Sequence, residues 1–189
     1  TTGNLLSPKD LSVAIGVSES SLKRWTDRGL LRVSRTAGGH RRIDRNEAIR
    51  FVRARRMPVV RPEVLGLPGA VAATPEIDLD TLDNPNEAFL ELMRRGHDLG
   101  ARNHLLQRFL DGEPIAALGD GPIRESFDRI GELWHDGPEG ILIEHRATEI
   151  CVSLVIELTK MVRQDDGGPR AIGGAISGDD YKLPPLLTT

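Results

Sequence analysis

The residues with the clearest chemical purpose lie between Arg35 and Ile43, in the run Arg-Thr-Ala-Gly-Gly-His-Arg-Arg-Ile. Two adjacent glycines permit a tight turn with positive φ at little steric cost. Arg32, Arg35, Thr36, His40, Arg41 and Arg42 flank that turn, and all are cationic or hydrogen-bonding. Side chains of this kind are rarely buried without partners, so a turn crowded with them has no packing purpose. It suits contact with phosphates, which call for positive charge and hydrogen-bond donors. The plain alternative is a solvated hairpin with an ordinary run of charge.

A second constellation stands far along the chain. Trp134 is followed by Glu144 and His145, and Asp136-Gly137-Pro138 reverses the chain between them. The three can converge at one end of a helical domain. There they could receive a flat, polar-edged ligand, stacked on the indole and hydrogen-bonded by Glu144 and His145. The alternative makes Trp134 a core anchor and the other two surface or capping residues. Nothing in the spacing of His135, Asp136, Glu144 and His145 compels a metal site. There is no phosphate-cradling loop of the P-loop type, no complete dinucleotide fingerprint and no nucleophile beside a base. The chain is therefore expected not to be an enzyme.

The basic turn belongs to a basic head. Of the 25 Lys and Arg residues, 14 lie at or before Arg61, against 5 of the 28 Asp and Glu, a net charge of +9. The remainder carries a net charge of -12. A basic head on an acidic body points to a polyanionic partner for the head alone, and to at least two domains. The overall 39% hydrophobic and 28% charged composition is that of a globular protein. The single cysteine, Cys151, excludes an internal disulfide and fits a reducing cytoplasm. No apolar run approaches the ~20 residues needed to span a membrane, and no signal-peptide pattern opens the chain.

Helix signals place the turn. Ser7-Pro8-Lys9-Asp10 is a helix start, with Ser7 as cap and Pro8 at the first position, and Gly16 ends that helix. Ser18 caps a second helix that runs to about Arg28 and stops at Gly29. Two short helices joined by a tight turn form the helix-turn-helix pattern. The second helix exposes Ser20, Ser21, Lys23 and Arg24 for phosphates or base edges. Leu22 and Trp25, three apart, suit its core side, with base stacking the alternative for Trp25. Leu30 to Val33 alternates like a strand, and a return strand begins at Arg42-Ile43, which makes a two-stranded wing. Asp44 caps a third helix from Glu47 to Arg56, with Arg45, Arg50, Arg53, Arg55 and Arg56 outside.

These residues carry a resemblance. Ser18-Glu19-Ser20-Ser21-Leu22-Lys23-Arg24-Trp25, Gly29-Leu30-Leu31 and Arg35-Thr36-Ala37-Gly38-Gly39-His40-Arg41-Arg42 resemble the winged-helix DNA-binding domain of MerR-type transcription regulators, over residues 5–56 of a head domain at residues 1–57. The resemblance implies a recognition helix in the major groove and a wing on the backbone or in the minor groove. The partners implied are double-stranded promoter DNA and RNA polymerase.

Residues 58–83 read as a linker. Pro58 and Pro62 break helices, which argues against the long dimerising helix that follows many such heads. Val64, Leu65 and Leu67 are candidates to dock part of it. Residues 84–162 read as a four-helix bundle: a helix capped by Asn84, one from about Leu99 to Leu110, one started by Pro122, and a long one from Glu139 to Val162. Pro114 to Leu118 adds a short helix. Self-association through this bundle is an expected use of it.

Trp134, nine residues, then Glu144-His145 resembles the helical motif of cobalamin-binding photoreceptor regulators of the CarH type. The order of parts matches too: MerR-like head, linker, helical cap. The resemblance implies that Trp134, Glu144 and His145, with Ile141 nearby, lie over adenosylcobalamin or another tetrapyrrole. The remaining part of that family is a Rossmann-like domain with a histidine on cobalt. Here Ala171 to Ile176 reads as its first strand, and residues 163–189 read as a linker, Arg163 to Pro169, followed by its truncated start. Tyr181 stands where the histidine is expected, and a neutral phenol is a poor ligand at neutral pH, its unperturbed pKa being ~10.

The expectation is a mainly α protein: a winged helix-turn-helix head, a four-helix bundle and a remnant strand. It acts in the cytoplasm as a sequence-specific transcription regulator under the control of its C-terminal region. The alternative is a cobalamin-independent regulator whose bundle serves only protein contacts.

Overall fold

The computed structural model describes residues 5–67, 84–133 and 137–161, together with Leu183. The chain divides into two compact units, one of residues 1–70 with 107–112, the other of residues 71–106 with 113–189. The described residues are mainly α-helical, with one small sheet in the first unit.

In the first unit, α1 (Pro8–Ile15) starts on a reciprocal cap. The Ser7 hydroxyl accepts the Asp10 N–H at 3.1 Å, and the Asp10 carboxylate accepts the Ser7 N–H at 2.8 Å. Gly16 closes the helix at φ 67°, a conformation glycine adopts without a Cβ penalty. Ser18 caps α2 (Glu19–Asp27) by accepting the Ser21 N–H. Leu11, Ala14, Ile15 and Leu22 are fully or almost fully buried between these helices and the rest of the unit. Trp25 lies on the core side of α2, its ring 5.3 Å from that of Phe51.

The sheet has three strands, β1 (Leu5–Leu6), β2 (Ser34–Arg35) and β3 (Arg41–Asp44), in the antiparallel order β1-β3-β2. Leu6 pairs with Ile43, and Ser34 pairs with Arg42. Two expectations are corrected here. The wing is the outer part of a three-stranded sheet, because Leu5 and Leu6 add a strand that two residues cannot announce in sequence. The strand expected over Leu30 to Val33 does not form. The Arg32 N–H goes to the Glu47 carboxylate at 3.0 Å, and Leu31 is buried, so the segment is held toward the next helix and not toward a ladder.

That helix is α3 (Arg45–Ala54), capped by Asp44, whose carboxylate accepts the N–H groups of Asn46 and Glu47. Ala48, Ile49, Phe51 and Val52 form its buried side. Arg45 and Arg53 are not on the outside as expected; both are half-buried. Arg53 lies 3.7 Å over the Phe109 ring and donates to the Phe109 carbonyl at 2.8 Å, and burial lowers its pKa. The Arg45 guanidinium lies against Gly66, where any Cβ would collide with it. The chain then returns to α1. The N–H groups of Val60 and Arg61 both donate to the Ala14 carbonyl, at 2.8 and 3.0 Å. A 3-10 turn over Pro62–Leu65 follows, and Leu65 and Leu67 are buried.

In the second unit, α4 (Pro85–Arg94) starts at Asn84, whose side chain accepts the Asn86 N–H. It is followed by α5 (Asp98–Leu110), whose last turn groups with the first unit. Then come α6 (Ile115–Leu118), a π-turn over Gly119–Ile123, α7 (Arg124–Glu132) and α8 (Pro138–Met161). Pro122 does not start a helix as expected; it sits inside the π-turn. A wider turn tolerates the missing N–H and the clash that proline makes with the carbonyl four residues back. α4 packs against α7, α8 and the π-turn. Phe89, Met93, Ile130, Cys151 and Leu154 are at the centre. Arg146 donates to the carbonyls of Met93 and Arg94 at 3.2 and 2.8 Å, which satisfies two end groups of α4. The strand expected over Ala171 to Ile176 lies outside the described residues.

Candidate nucleic-acid interface

Of the elements of the head that expose hydrogen-bonding and cationic side chains, α2 and the β2–β3 wing face one another across a groove. On α2, the first turn is built on serines. The Ser18 hydroxyl lies 2.8 Å from that of Ser20 and 3.0 Å from that of Ser21. Ser20, Lys23 and Arg24 are exposed, and Ser21 is half-buried. The anions of this helix are kept to its ends, at Glu19 and Asp27.

The wing owes its shape to Thr36 and Gly39. The Gly39 N–H donates to the Thr36 carbonyl at 2.8 Å, and the Thr36 N–H donates to the His40 carbonyl at 2.9 Å. The Thr36 hydroxyl accepts the His40 N–H at 3.2 Å. Gly39 has φ 78°, the left-handed conformation that such a turn needs at this position. Gly38 has no such requirement. Arg35, Thr36 and His40 are exposed, and Arg35 donates to the Gly39 carbonyl at 3.2 Å across the turn. Arg32 is exposed, and its main chain is anchored by Glu47.

Arg41 and Arg42 differ from Arg32, Arg35, Thr36 and His40 in being half-buried. Arg41 donates to the Thr26 hydroxyl at 2.7 Å and to the Asp27 carboxylate at 2.6 Å, both in the last turn of α2. Arg42 is close enough to Asp10 to help lower its pKa; the larger causes are the hydrogen bonds from the Ser7 N–H and hydroxyl.

A groove of about 620 Å³ lies between α2 and the wing. Lys9, Lys23, Arg35, His40, Arg41 and Arg42 line it, with Glu19 the one acid among the described residues of its walls. The structure thus gathers six of the residues singled out from sequence, Ser20, Lys23, Arg35, His40, Arg41 and Arg42, around a single channel. It adds Lys9, which sequence reasoning passed over as part of a helix start. A signal was present, since a cation in the first turn of a helix opposes the helix dipole and does not stabilise it. Thr26 and Asp27 were also missed; only their proximity to Arg41 distinguishes them.

The second constellation is placed differently. Trp134 and Tyr181 lie outside the described residues. On α8, Ile141 is 40% exposed and the His145 side chain 73% exposed. Glu144 is buried, and its carboxylate accepts the Thr148 hydroxyl at 3.1 Å. The nearest His145 nitrogen is 3.9 Å from that carboxylate. Among the described residues no group of three or more His, Cys, Asp or Glu is placed to hold a metal. No described helix is long and apolar enough to cross a membrane.

Residues 6–57 match the family described as MerR HTH family regulatory protein. No curated protein matches the chain. The family match coincides with the segment that carries α1, α2, the wing and α3, and it supports a DNA-binding transcription regulator of the MerR type.

Proposed function

We propose that the chain is a sequence-specific transcription regulator whose head binds duplex promoter DNA. The observation that carries this reading is the groove between α2 and the wing, walled by Lys9, Lys23, Arg35, His40 and Arg42. A phosphodiester strand carries the complementary charge and presents acceptors at regular spacing. With that strand in the groove, Ser20, Ser21, Lys23 and Arg24 on α2 enter the major groove, and Arg32, Arg35, Thr36 and His40 contact the backbone beyond it. The test is selection of bound sequences from a random duplex library by the full chain. Enrichment of a defined site supports specific readout. Binding without enrichment would reduce the head to a non-specific cation.

The helical region over residues 84–162 is read as the controlling part, acting through self-association or contact with RNA polymerase in the cytoplasm. Control by adenosylcobalamin is the reading its sequence invites, with Trp134, Ile141, Glu144 and His145 as the candidate face. The described residues fit that group incompletely. His145 and Ile141 are on an exposed side of α8, but Glu144 is turned inward and bonded to Thr148. The exposed Ile141 and Leu142 favour the second reading, in which this unit makes protein contacts without a cofactor. An absorption spectrum after incubation with adenosylcobalamin in the dark and gel filtration separates the two. Retained colour supports the cofactor, and its absence supports the contact module.

A further inference from the structure

We propose that Asp27 and Thr26 anchor the wing to α2, and that Arg41 is a positioning residue of the interface and not one of its phosphate ligands. The inference rests on the reading of the head as a duplex-binding domain. Arg41 is the first residue of β3, and only 19% of its side chain is exposed. Its guanidinium forks onto two neighbours, Thr26 Oγ1 at 2.7 Å and Asp27 Oδ1 at 2.6 Å. The Thr26 hydroxyl spends its one proton on the Lys23 carbonyl at 2.8 Å, so its oxygen is left to accept from Arg41. The bond therefore runs from the wing strand through Thr26 into the main chain of α2 at Lys23.

Charge explains the choice of partners. Asp27 is the last residue of α2, where an anion opposes the helix dipole. Arg41 brings a cation to that end and neutralises the carboxylate. The pair leaves little net charge for a phosphate, and the donors of Arg41 that face α2 are already engaged. What the pair supplies is a fixed distance between the two elements that must meet DNA together. Arg35 and His40 can hold backbone in register with Ser20 and Lys23 only if the wing does not swing.

The signs of the substitution effects separate an anchor from a phosphate ligand. Removing an anion from a DNA-binding face ordinarily strengthens binding. With Asp27 as an anchor, Asp27→Asn weakens it instead, by about two- to fivefold for a partly exposed pair. Arg41→Ala weakens it to a similar extent, and the charge exchange Arg41→Asp with Asp27→Arg recovers part of the loss. The experiment is duplex binding by the full chain, followed by fluorescence anisotropy, for the wild type, Asp27→Asn, Arg41→Ala and the exchanged pair. Stronger binding by Asp27→Asn overturns the anchor, and so does an exchanged pair no better than Arg41→Ala. Hydrogen exchange of the DNA-free proteins over Thr36 to Arg42 gives a second measure. Faster exchange in Asp27→Asn than in the wild type supports the anchor, and unchanged exchange overturns it. Failure of the wild type to bind any duplex overturns the DNA-binding reading, and exchange alone then decides on the anchor.

Discussion

The Glu47 carboxylate accepts the main-chain N–H of Arg32 at 3.0 Å, across fifteen residues of sequence. The same carboxylate takes two bonds from Arg50, at 2.6 and 3.0 Å, and the residue is buried on α3. One side chain thereby holds the entry to the wing against the third helix. Glu47→Ala leaves the Arg32 N–H without its partner and is expected to cost the head about 1–3 kcal/mol. Glu47→Gln keeps an acceptor for Arg32 and is expected to cost less. Urea unfolding of the two variants, followed by tryptophan fluorescence in a Trp134→Phe background that leaves Trp25 as the emitter, checks the order.

Glu47 also gives the head a dependence on pH. Burial alone would raise its pKa, but hydrogen bonds from Arg50 and from the Arg32 N–H outweigh burial and hold the carboxyl below its ordinary value. Its contribution is therefore complete above the ordinary carboxylate range. It is lost as pH falls below that range, through the depressed folded value, because the unfolded chain takes up the proton first. Asp10 acts in the same direction through its cap with Ser7. Urea midpoints measured from pH 7 to pH 3 should fall less steeply in Glu47→Gln than in the wild type. Parallel curves would remove Glu47 from this account.

The segment after α3 is expected to be part of the head. Leu65 is fully buried, and two N–H groups of the segment are spent on Ala14. Leu65→Ala in the full chain should destabilise the head by about 2–5 kcal/mol, the range for a buried leucine truncated in a well-packed site. Val60→Ala, at a residue 60% exposed, should cost far less. Equal effects would mean that the segment is not packed as described.

The two wing glycines should respond unequally. Gly39 has φ 78° and open space around it, so Gly39→Ala is strained by its backbone and not by a collision. A cost of about 1 kcal/mol is expected, with a loosened turn. At Gly38 a Cβ would meet the His40 ring at 3.5 Å, an ordinary contact, and Gly38→Ala should be tolerated. Thermal unfolding of the pair tests the difference.

Much of the head was legible because its signals are local. Ser7, Ser18 and Asp44 announce three helix starts, Gly16 and Gly29 two stops, and Gly38-Gly39 the turn. The third strand at Leu5–Leu6 and the turned segment at Leu30–Val33 were not legible. Both depend on partners more than ten residues away, Ile43 in one case and Glu47 in the other. The same limit applied to the site. Sequence identified Arg35, His40 and Arg42 as cations at a turn. It could not distinguish Arg41 from them, because its neighbours Thr26 and Asp27 come from another element. Glu144 shows the converse. A sequence motif placed it on a ligand face, and the structure turns it toward Thr148.

DNA phosphates held in the groove between α2 and the wing make affinity depend on salt. The most direct test is the affinity of the full chain for a duplex at several salt concentrations, for the wild type and for Lys23→Ala, Arg35→Ala and Arg42→Ala. With phosphates in the groove, log K falls linearly with log salt. Each variant at a contacting residue should reduce the slope by about 0.9 unit, as expected for one lost phosphate contact on B-form DNA. Binding that is insensitive to salt, or slopes unchanged in all three variants, would contradict it.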